Sequence, residues 1–479
     1  VIESQALVVQ PVRWLHVGDQ KYLFDPASCR IARCSDVVRA VLEVAQGRDL
    51  DAVVALLAER FTEGEVRGVL ATLQRLEFVS VGEPAPEPPP RPAAAELSEL
   101  YLQVAHECNM SCAYCYASGG SYGSGHGLMS RDTAAAAVEL LLAHRRQGVA
   151  LGINFDGGEP LLNRDVIGFT VELARRRAAE VGVDIRFAIG TNGTLLDPET
   201  NAWLTRLGVE IGLSIDGEAA VHDAHRRLRD GSATYEMIVA NLDALRTDGH
   251  LGPMQARATL TRGHADLCSS LDHLLGLGFR HISLEPVSGS CGPWLFTYDD
   301  LEPLKKQLDA LADLYVERLL SQRPFVLQCF NEPLLRLHRR LPRVYRCNAG
   351  FGLLAVTPKG ELYPCSRLSG MPEYVMGTVV ENQWPDELAE TFRNNTTAAR
   401  AGCSSCWARG LCGGGCPCRG VLARGLIADR DRLQCELDRH IAALTVKIYV
   451  SVVERDPSVW VRMFPDPAPG PLAGQDPVG

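Results

Sequence analysis

The sequence predicts an α/β protein: a partial (β/α)6 barrel between an N-terminal winged-helix-like module and a C-terminal Cys-rich domain. Two observations predict it. Six short apolar runs alternate with helical patterns across residues 98–322, and the 16 cysteines are bunched rather than spread. At 479 residues the chain is long for one domain. The boundaries read as 1–82 for the module, 83–97 for a Pro/Ala-rich linker, 98–322 for the barrel, 323–450 for the Cys-rich domain, and 451–479 for a largely disordered tail.

In the N-terminal module, apolar stretches at 14–17 and 21–24 flank Gly18-Asp19, a hairpin signal. Helical spacing follows at 39–45, 50–61 and 63–76, with Thr62 as the N-cap of the last. Strands and three helices of this size give a winged-helix shape, whose ordinary use is DNA binding. Residues 1–82 hold 11 acidic and 9 basic side chains, which is no basic footprint. Such a module can instead offer a strand edge to a peptide.

The barrel strands are expected at 102–105, 152–155, 186–189, 210–214, 256–260 and 281–284. Helical patterns such as 132–147 and 164–181 lie between them. Strands alternating with helices imply a parallel sheet, and six of them imply an open barrel rather than a closed eight-stranded one. Residues 323–450 are Gly-rich and Cys-rich, with a final helix near 435–450.

The net charge of −10 argues against a nucleic-acid binder. No apolar run approaches the roughly 20 residues of a membrane span. The first residues lack the basic start and apolar core of a secretory signal, so the expected location is the cytoplasm. In that reducing setting, clustered cysteines read as metal ligation rather than disulfides.

Cys108, Cys112 and Cys115 directly follow the first barrel strand. Three thiolates so spaced can hold three irons of a [4Fe–4S] cluster and leave the fourth open to a small molecule. A zinc site would want a fourth ligand. The other strand ends carry Gly157-Gly158-Glu159-Pro160, Thr191-Asn192-Gly193 and Ser214-Ile215-Asp216-Gly217, and Arg257 lies on the fifth strand. Glycines let carbonyls approach an ammonium group. Asn192, Ser214 and Asp216 can bond ribose hydroxyls. An arginine can pair with a carboxylate. Together these groups fit an amino acid joined to a nucleoside.

The run Cys108-Asn109-Met110-Ser111-Cys112-Ala113-Tyr114-Cys115 resembles the signature of radical S-adenosylmethionine (SAM) enzymes, and Gly157-Gly158-Glu159-Pro160 resembles their SAM amino-group motif. Asp156 stands where that family usually has an aromatic or small residue. The resemblance implies that Tyr114 abuts the adenine and that the open iron chelates the methionine end of SAM. It assigns SAM contacts to Gly157, Gly158, Glu159, Thr191, Asn192, Ser214, Asp216, Arg226 and Arg257.

The C-terminal cysteines run Cys347, Cys365, then Cys403-x2-Cys406-x5-Cys412-x3-Cys416, then Cys435. This pattern resembles the SPASM domain of radical SAM enzymes that act on peptides and proteins. It implies two auxiliary [4Fe–4S] clusters, three in all. Cys403, Cys406, Cys412 and Cys435 would hold one, and Cys347, Cys365 and Cys416 the other. In the second set either an iron is open or another cysteine completes it, with Cys329 and Cys418 as the choices. The expectation is an open iron that binds a substrate thiolate. Cys418 is the weaker choice, because it lies two residues from Cys416. Cys29, Cys34, Cys268 and Cys291 read as small core side chains.

Further segments, including Ser118-Gly119-Gly120, His222-Asp223 with Arg226, and Leu284-Glu285-Pro286-Val287, resemble thioether-forming peptide maturases of the sactipeptide, ranthipeptide and quinohemoprotein amine dehydrogenase types. The resemblance implies that the N-terminal module is a RiPP recognition element, which binds the leader of a precursor peptide. It also implies a reduced flavodoxin or ferredoxin-type electron donor. Other outcomes are open at this stage. They are a C–C or C–O crosslink, epimerisation, decarboxylation, or a non-enzymatic, cluster-containing redox regulator. Sulfatase oxidation is disfavoured, since it gives a leader-binding module no use.

Overall fold

The N-terminal module is built on two small sheets. Strands β1 (Leu7–Val9) and β5 (Val79–Val81) pair antiparallel, while β2 (Arg13–Val17), β3 (Gln20–Asp25) and β4 (Arg30–Arg33) form an antiparallel meander. The β2–β3 turn falls at Gly18-Asp19, as expected. The helices Asp36–Ala45, Leu50–Leu57 and Glu63–Arg75 each begin at a side-chain cap, namely Ser35, Asp49 and Thr62. Thr62 and Glu65 complete a capping box. Val41, Val53, Val66 and Leu70 on the helices bury against Leu7, Leu23 and Phe78, giving the module a core of its own. Five strands form where the sequence marked only the hairpin at 14–17 and 21–24; β1 and β5 are three residues each, too short to signal themselves, and pair across the whole module.

This computed structural model describes residues 5–81, 96–247, 254–264, 266–289, 292–321, 324–381 and 386–465. Most of the expected linker, the end of the expected tail and Cys291 lie outside the described residues.

All six expected barrel strands form: β6 (Glu99–Ala105), β7 (Leu151–Gly157), β8 (Ile185–Thr191), β9 (Val209–Ser214), β10 (Met254–Leu260) and β11 (His281–Pro286). Their apolar side chains, such as Leu102, Ile153 and Phe155, fill a core shared with the surrounding helices. Three more strands extend the sheet: β12 (Val326–Leu327), β13 (Leu353–Val356) and β14 (Leu362–Tyr363). The order is β12-β11-β10-β9-β8-β7-β6-β13-β14. Every pairing is parallel except β13–β14. The sheet does not close, so the barrel is partial. The Cys-rich domain is not a separate body, because its β13 adds directly to β6.

The expected final helix runs longer than its apolar pattern suggested, Arg432–Arg455, and a further helix, Ser458–Met463, folds back on it. Trp460 is buried and stacks on Tyr449 at 5.3 Å and Phe464 at 5.9 Å. Residues 451–465 are therefore structured, which corrects the expectation of a tail from 451. The N-terminal module docks on this region through Phe24, Leu411, Val446 and Val450, with Trp407 edge-on to Phe24 at 6.3 Å. No described helix is long and apolar enough to cross a membrane.

Candidate active site

The loop after β6 carries Cys108, Cys112 and Cys115. It is clamped from one side by the segment after β9: Ser111 N–H donates to Arg227 O at 2.8 Å, Ala113 N–H to His225 O at 2.9 Å, and Arg229 Nε to Cys108 O at 2.7 Å. From the other side the turn after β7 presses on it. A Cβ added at Gly158 would lie 2.2 Å from Glu107 O and 2.9 Å from Cys108 Cβ, and one at Gly157 would lie 2.3 Å from Ala105 O. Glycine at these two positions is what lets β7 reach the cysteine loop.

An open cavity of about 1180 Å³ lies over the strand ends. It brings together Cys108, Cys112, Cys115, Tyr114, Gly157, Gly158, Thr191, Asn192, Ser214, Arg226 and Arg257. Arg257 lies across Gly190 and Gly212, each of whose Cβ positions is 2.9 Å from it. Asn192 Nδ2 donates to Cys108 Sγ at 3.8 Å and Asn109 Oδ1 at 2.9 Å. Met110 N–H donates to Cys108 Sγ at 3.4 Å. Burial pushes the Cys112 thiol up to about 11, against the pull of the Arg226 guanidinium.

Two expected contact residues stand behind the wall instead of on it. Glu159 is fully buried and accepts from Thr191 Oγ1 at 2.9 Å, Asn192 N–H at 2.8 Å and Leu161 N–H at 3.1 Å. Burial pushes its carboxyl up to about 7 against these three donors. Asp216 is buried as well. It accepts from Arg226 Nε at 3.1 Å, from Thr259 N–H at 2.9 Å and from the Tyr114 hydroxyl. The guanidinium of Arg226 lies 5.4 Å from the centre of the Tyr114 ring. Strand alternation points Ser214 into the cavity, and the buried Asp216 bonds inward. Both acids position their neighbours.

The far end of the cavity is lined by residues that the sequence did not mark as contacts: Tyr116, Asp156, Glu285, Ser288 and Arg367. Arg367 comes from the Cys-rich domain, two residues after Cys365. It lies over the Tyr116 ring at 5.4 Å, donates to Ser288 Oγ and stands 4.0 Å from Glu285. Of these lining residues the sequence had marked Asp156, as a departure just before Gly157-Gly158, and Glu285, inside a quoted motif.

Behind Arg367 stands the second cysteine group. Cys347, Cys365 and Cys416 are within electrostatic reach of one another and accept N–H bonds from Ala349, Arg367 and Arg419. Cys403, Cys412 and Cys435 gather around Arg400, and Cys406 shares a turn with Cys403 through its N–H bond to Cys403 O at 2.9 Å. Among the described residues, no three His, Cys, Asp or Glu side chains converge on one point as a single metal ion requires. A cluster asks for a different arrangement, because each thiolate takes its own iron. Soft sulfur donors with N–H bonds aimed at them fit iron–sulfur clusters at these three places.

Residues 102–254, which span most of the barrel, match the family model of the radical SAM superfamily. A serine-type anaerobic sulfatase-maturating enzyme from Klebsiella aerogenes is 24% identical over 331 residues, covering 66% of this chain and 79% of that one. The solved structure of native anSMEcpe with bound AdoMet and Kp18Cys peptide superposes with a TM-score of 0.63 at 20% identity, covering 75% of this chain and 99% of that chain. SuiB of Streptococcus suis bound to the precursor peptide SuiA gives a TM-score of 0.52 at 14% identity, covering 90% and 98%.

Proposed function

We propose that this chain is a radical SAM peptide maturase that joins a Cys sulfur of a precursor peptide to a carbon of another residue. The cavity carries the reading. One open space is lined by Cys108, Cys112 and Cys115 and by Arg367, which backs on the second cysteine group. The fold likeness to SuiB spans a share of the chain too large to leave out the N-terminal module.

In this reading Cys108, Cys112 and Cys115 hold a cluster with one open iron, and the two C-terminal sets hold auxiliary clusters. Bound there, cluster and SAM would supply radical chemistry started by one electron from a reduced flavodoxin or ferredoxin-type donor: the peptide would give up one hydrogen atom to it and one proton plus one electron as the C–S bond closes, and that electron would leave through the auxiliary sites. The carbonyls of Gly157, which also accepts the Tyr122 hydroxyl at 3.0 Å, and of Gly158 would face the ammonium group of SAM, and Arg257 would face its carboxylate. Asn192 and Ser214 would bond the ribose and Tyr114 would cover the adenine, while the Thr191 hydroxyl is spent on Glu159 and Gly193 N–H. Glu159 and Asp216 fix Asn192, Tyr114 and Arg226 from behind. The leader docks as an added strand on the outer edge of the β2–β3–β4 sheet.

The test is anaerobic incubation of the enzyme with SAM, reductant and a Cys-containing precursor peptide, to be sought as a short reading frame beside this gene. The product should lose two hydrogens, and its Cys should resist iodoacetamide. A product whose Cys is still alkylated refutes the thioether and leaves a C–C or C–O crosslink. The sulfatase-maturing relative favours a second reading, oxidation of a sulfatase Cys or Ser, which predicts turnover of a leaderless sulfatase peptide instead. Iron should be about 12 atoms per chain for three cubanes.

A further inference from the structure

We infer that Cys418 is the fourth iron ligand of the site formed by Cys347, Cys365 and Cys416, so that this cluster presents no open iron. The inference rests on the proposed auxiliary clusters and replaces the expectation of an open iron. Three thiolates are one short of the usual four-cysteine set. The Cys418 thiol lies beside both the Cys365 and the Cys416 sulfur, within reach of a side-chain hydrogen bond to either. It is 1% exposed and shares an apolar patch with Ala349, Phe351, Leu368 and Val421, against which Cys365 and Cys416 also pack.

Two residues of separation from Cys416 had counted against it. The structure removes that objection. Cys416 is the N-cap of the helix Pro417–Arg424, with extended backbone at φ −70° and ψ 121°, while Cys418 lies inside the first turn. The chain turns between them, so their thiols converge on Cys365. The competing cysteine, Cys329, packs against the barrel core beside Tyr315 and Glu285 instead. Charge fits as well. A cube held by four thiolates is an anion, and Arg367 and Arg419 both stand next to Cys416. A saturated cluster only passes electrons, so the substrate sulfur would react in the cavity and not on iron.

The test uses the full-length C108A/C112A/C115A variant, which removes the first, open site and should hold about 8 irons per chain. Mild oxidation of this protein should give no [3Fe–4S] electron paramagnetic signal. Adding Cys418→Ala should produce that signal and lower the iron by about one atom per chain. Cys418→Ser should keep the iron but shift the spectrum and the reduction potential, and it covers the case where the alanine variant folds poorly. Cys329→Ala should change none of these. A [3Fe–4S] signal already present with Cys418 intact overturns the inference, as does a Cys418→Ala protein with unchanged iron and spectrum, or loss of iron on Cys329→Ala. Iron near zero before any of these changes would instead sink the auxiliary-cluster reading itself.

Discussion

Asp216→Asn tests whether the acid behind the cavity, rather than on it, holds the site together. Its carboxylate is 1% exposed and receives Arg226 Nε at 3.1 Å, Thr259 N–H at 2.9 Å and the Tyr114 hydroxyl. At that separation and an effective dielectric of about 20, the ion pair is worth roughly 5 kcal/mol in Coulomb terms, much of which desolvation takes back. An amide keeps the Thr259 bond through its carbonyl, and the Tyr114 hydroxyl can turn to accept. Arg226 is then left facing an NH2 group. The cost is that of a buried cation stripped of its partner, about 3–5 kcal/mol, and the Tyr114 ring returns no more than about 1 kcal/mol. Urea unfolding should show this loss, and calorimetry should show SAM affinity down at least about tenfold. Asp216→Asn/Arg226→Met should recover much of the stability, because no buried charge remains. A single variant within about 1 kcal/mol of the parent, or a double variant no better than the single, would refute the reasoning.

The remaining predictions follow from the same framework. His222 is fully buried, accepts Asp216 N–H on Nδ1 at 3.3 Å, and meets Thr234 Oγ1 through Nε2 at 3.0 Å. Burial pushes it down to about 4. The unfolded chain therefore binds its proton first, and stability is lost as pH falls from about 6.5 to about 4, by about 2 kcal/mol at pH 5. Unfolding measured against pH should lose this slope in His222→Gln, and an unchanged slope would count against it. Glu159→Ala orphans three buried donors and should cost about 3 kcal/mol in thermal unfolding, with less iron retained at the Cys108 site. Trp407→Ala removes the edge contact with Phe24 and the Arg13 guanidinium 5.7 Å above the ring. The loss of about 1.4 kcal/mol should speed amide exchange in Gln20–Asp25 roughly tenfold while leaving the module's own core unchanged.

The barrel was legible because short strand-like runs alternate with helical patterns, and each run at 102–105, 152–155 or 186–189 sits inside an observed strand, with buried and half-buried side chains alternating along the last two. The cysteine spacings mark out groups, and Cys347, Cys365 and Cys416, far apart in sequence, do lie within electrostatic reach of one another. Pairings between distant segments were not legible. Nothing in residues 353–356 announces that they will lie beside Glu99–Ala105, and that pairing is what fuses the Cys-rich domain to the barrel. Trp460 was lost in a Pro-rich tail for the same reason, since its stacking partner Tyr449 belongs to another helix.

Site chemistry divides along a similar line. Residue type and strand-end position pick out polar groups that share a rim, but they cannot say which way a side chain turns. Glu159 and Asp216 have the right chemistry for a ligand and sit at the right strand ends, yet both spend it on backbone N–H groups and on Tyr114, Arg226 and Thr191. That use makes physical sense. Open iron chemistry needs a cavity whose own groups hold still, and a buried carboxylate with three donors is costlier to move than one facing solvent. Cys418 errs in the opposite direction. Spacing made it the weaker choice, because it lies only two residues from Cys416. The N-cap geometry of Cys416 bends the chain enough to bring the thiols together. Spacing rules assume one regular element, and the cysteines that depart from them sit where one element ends and the next begins.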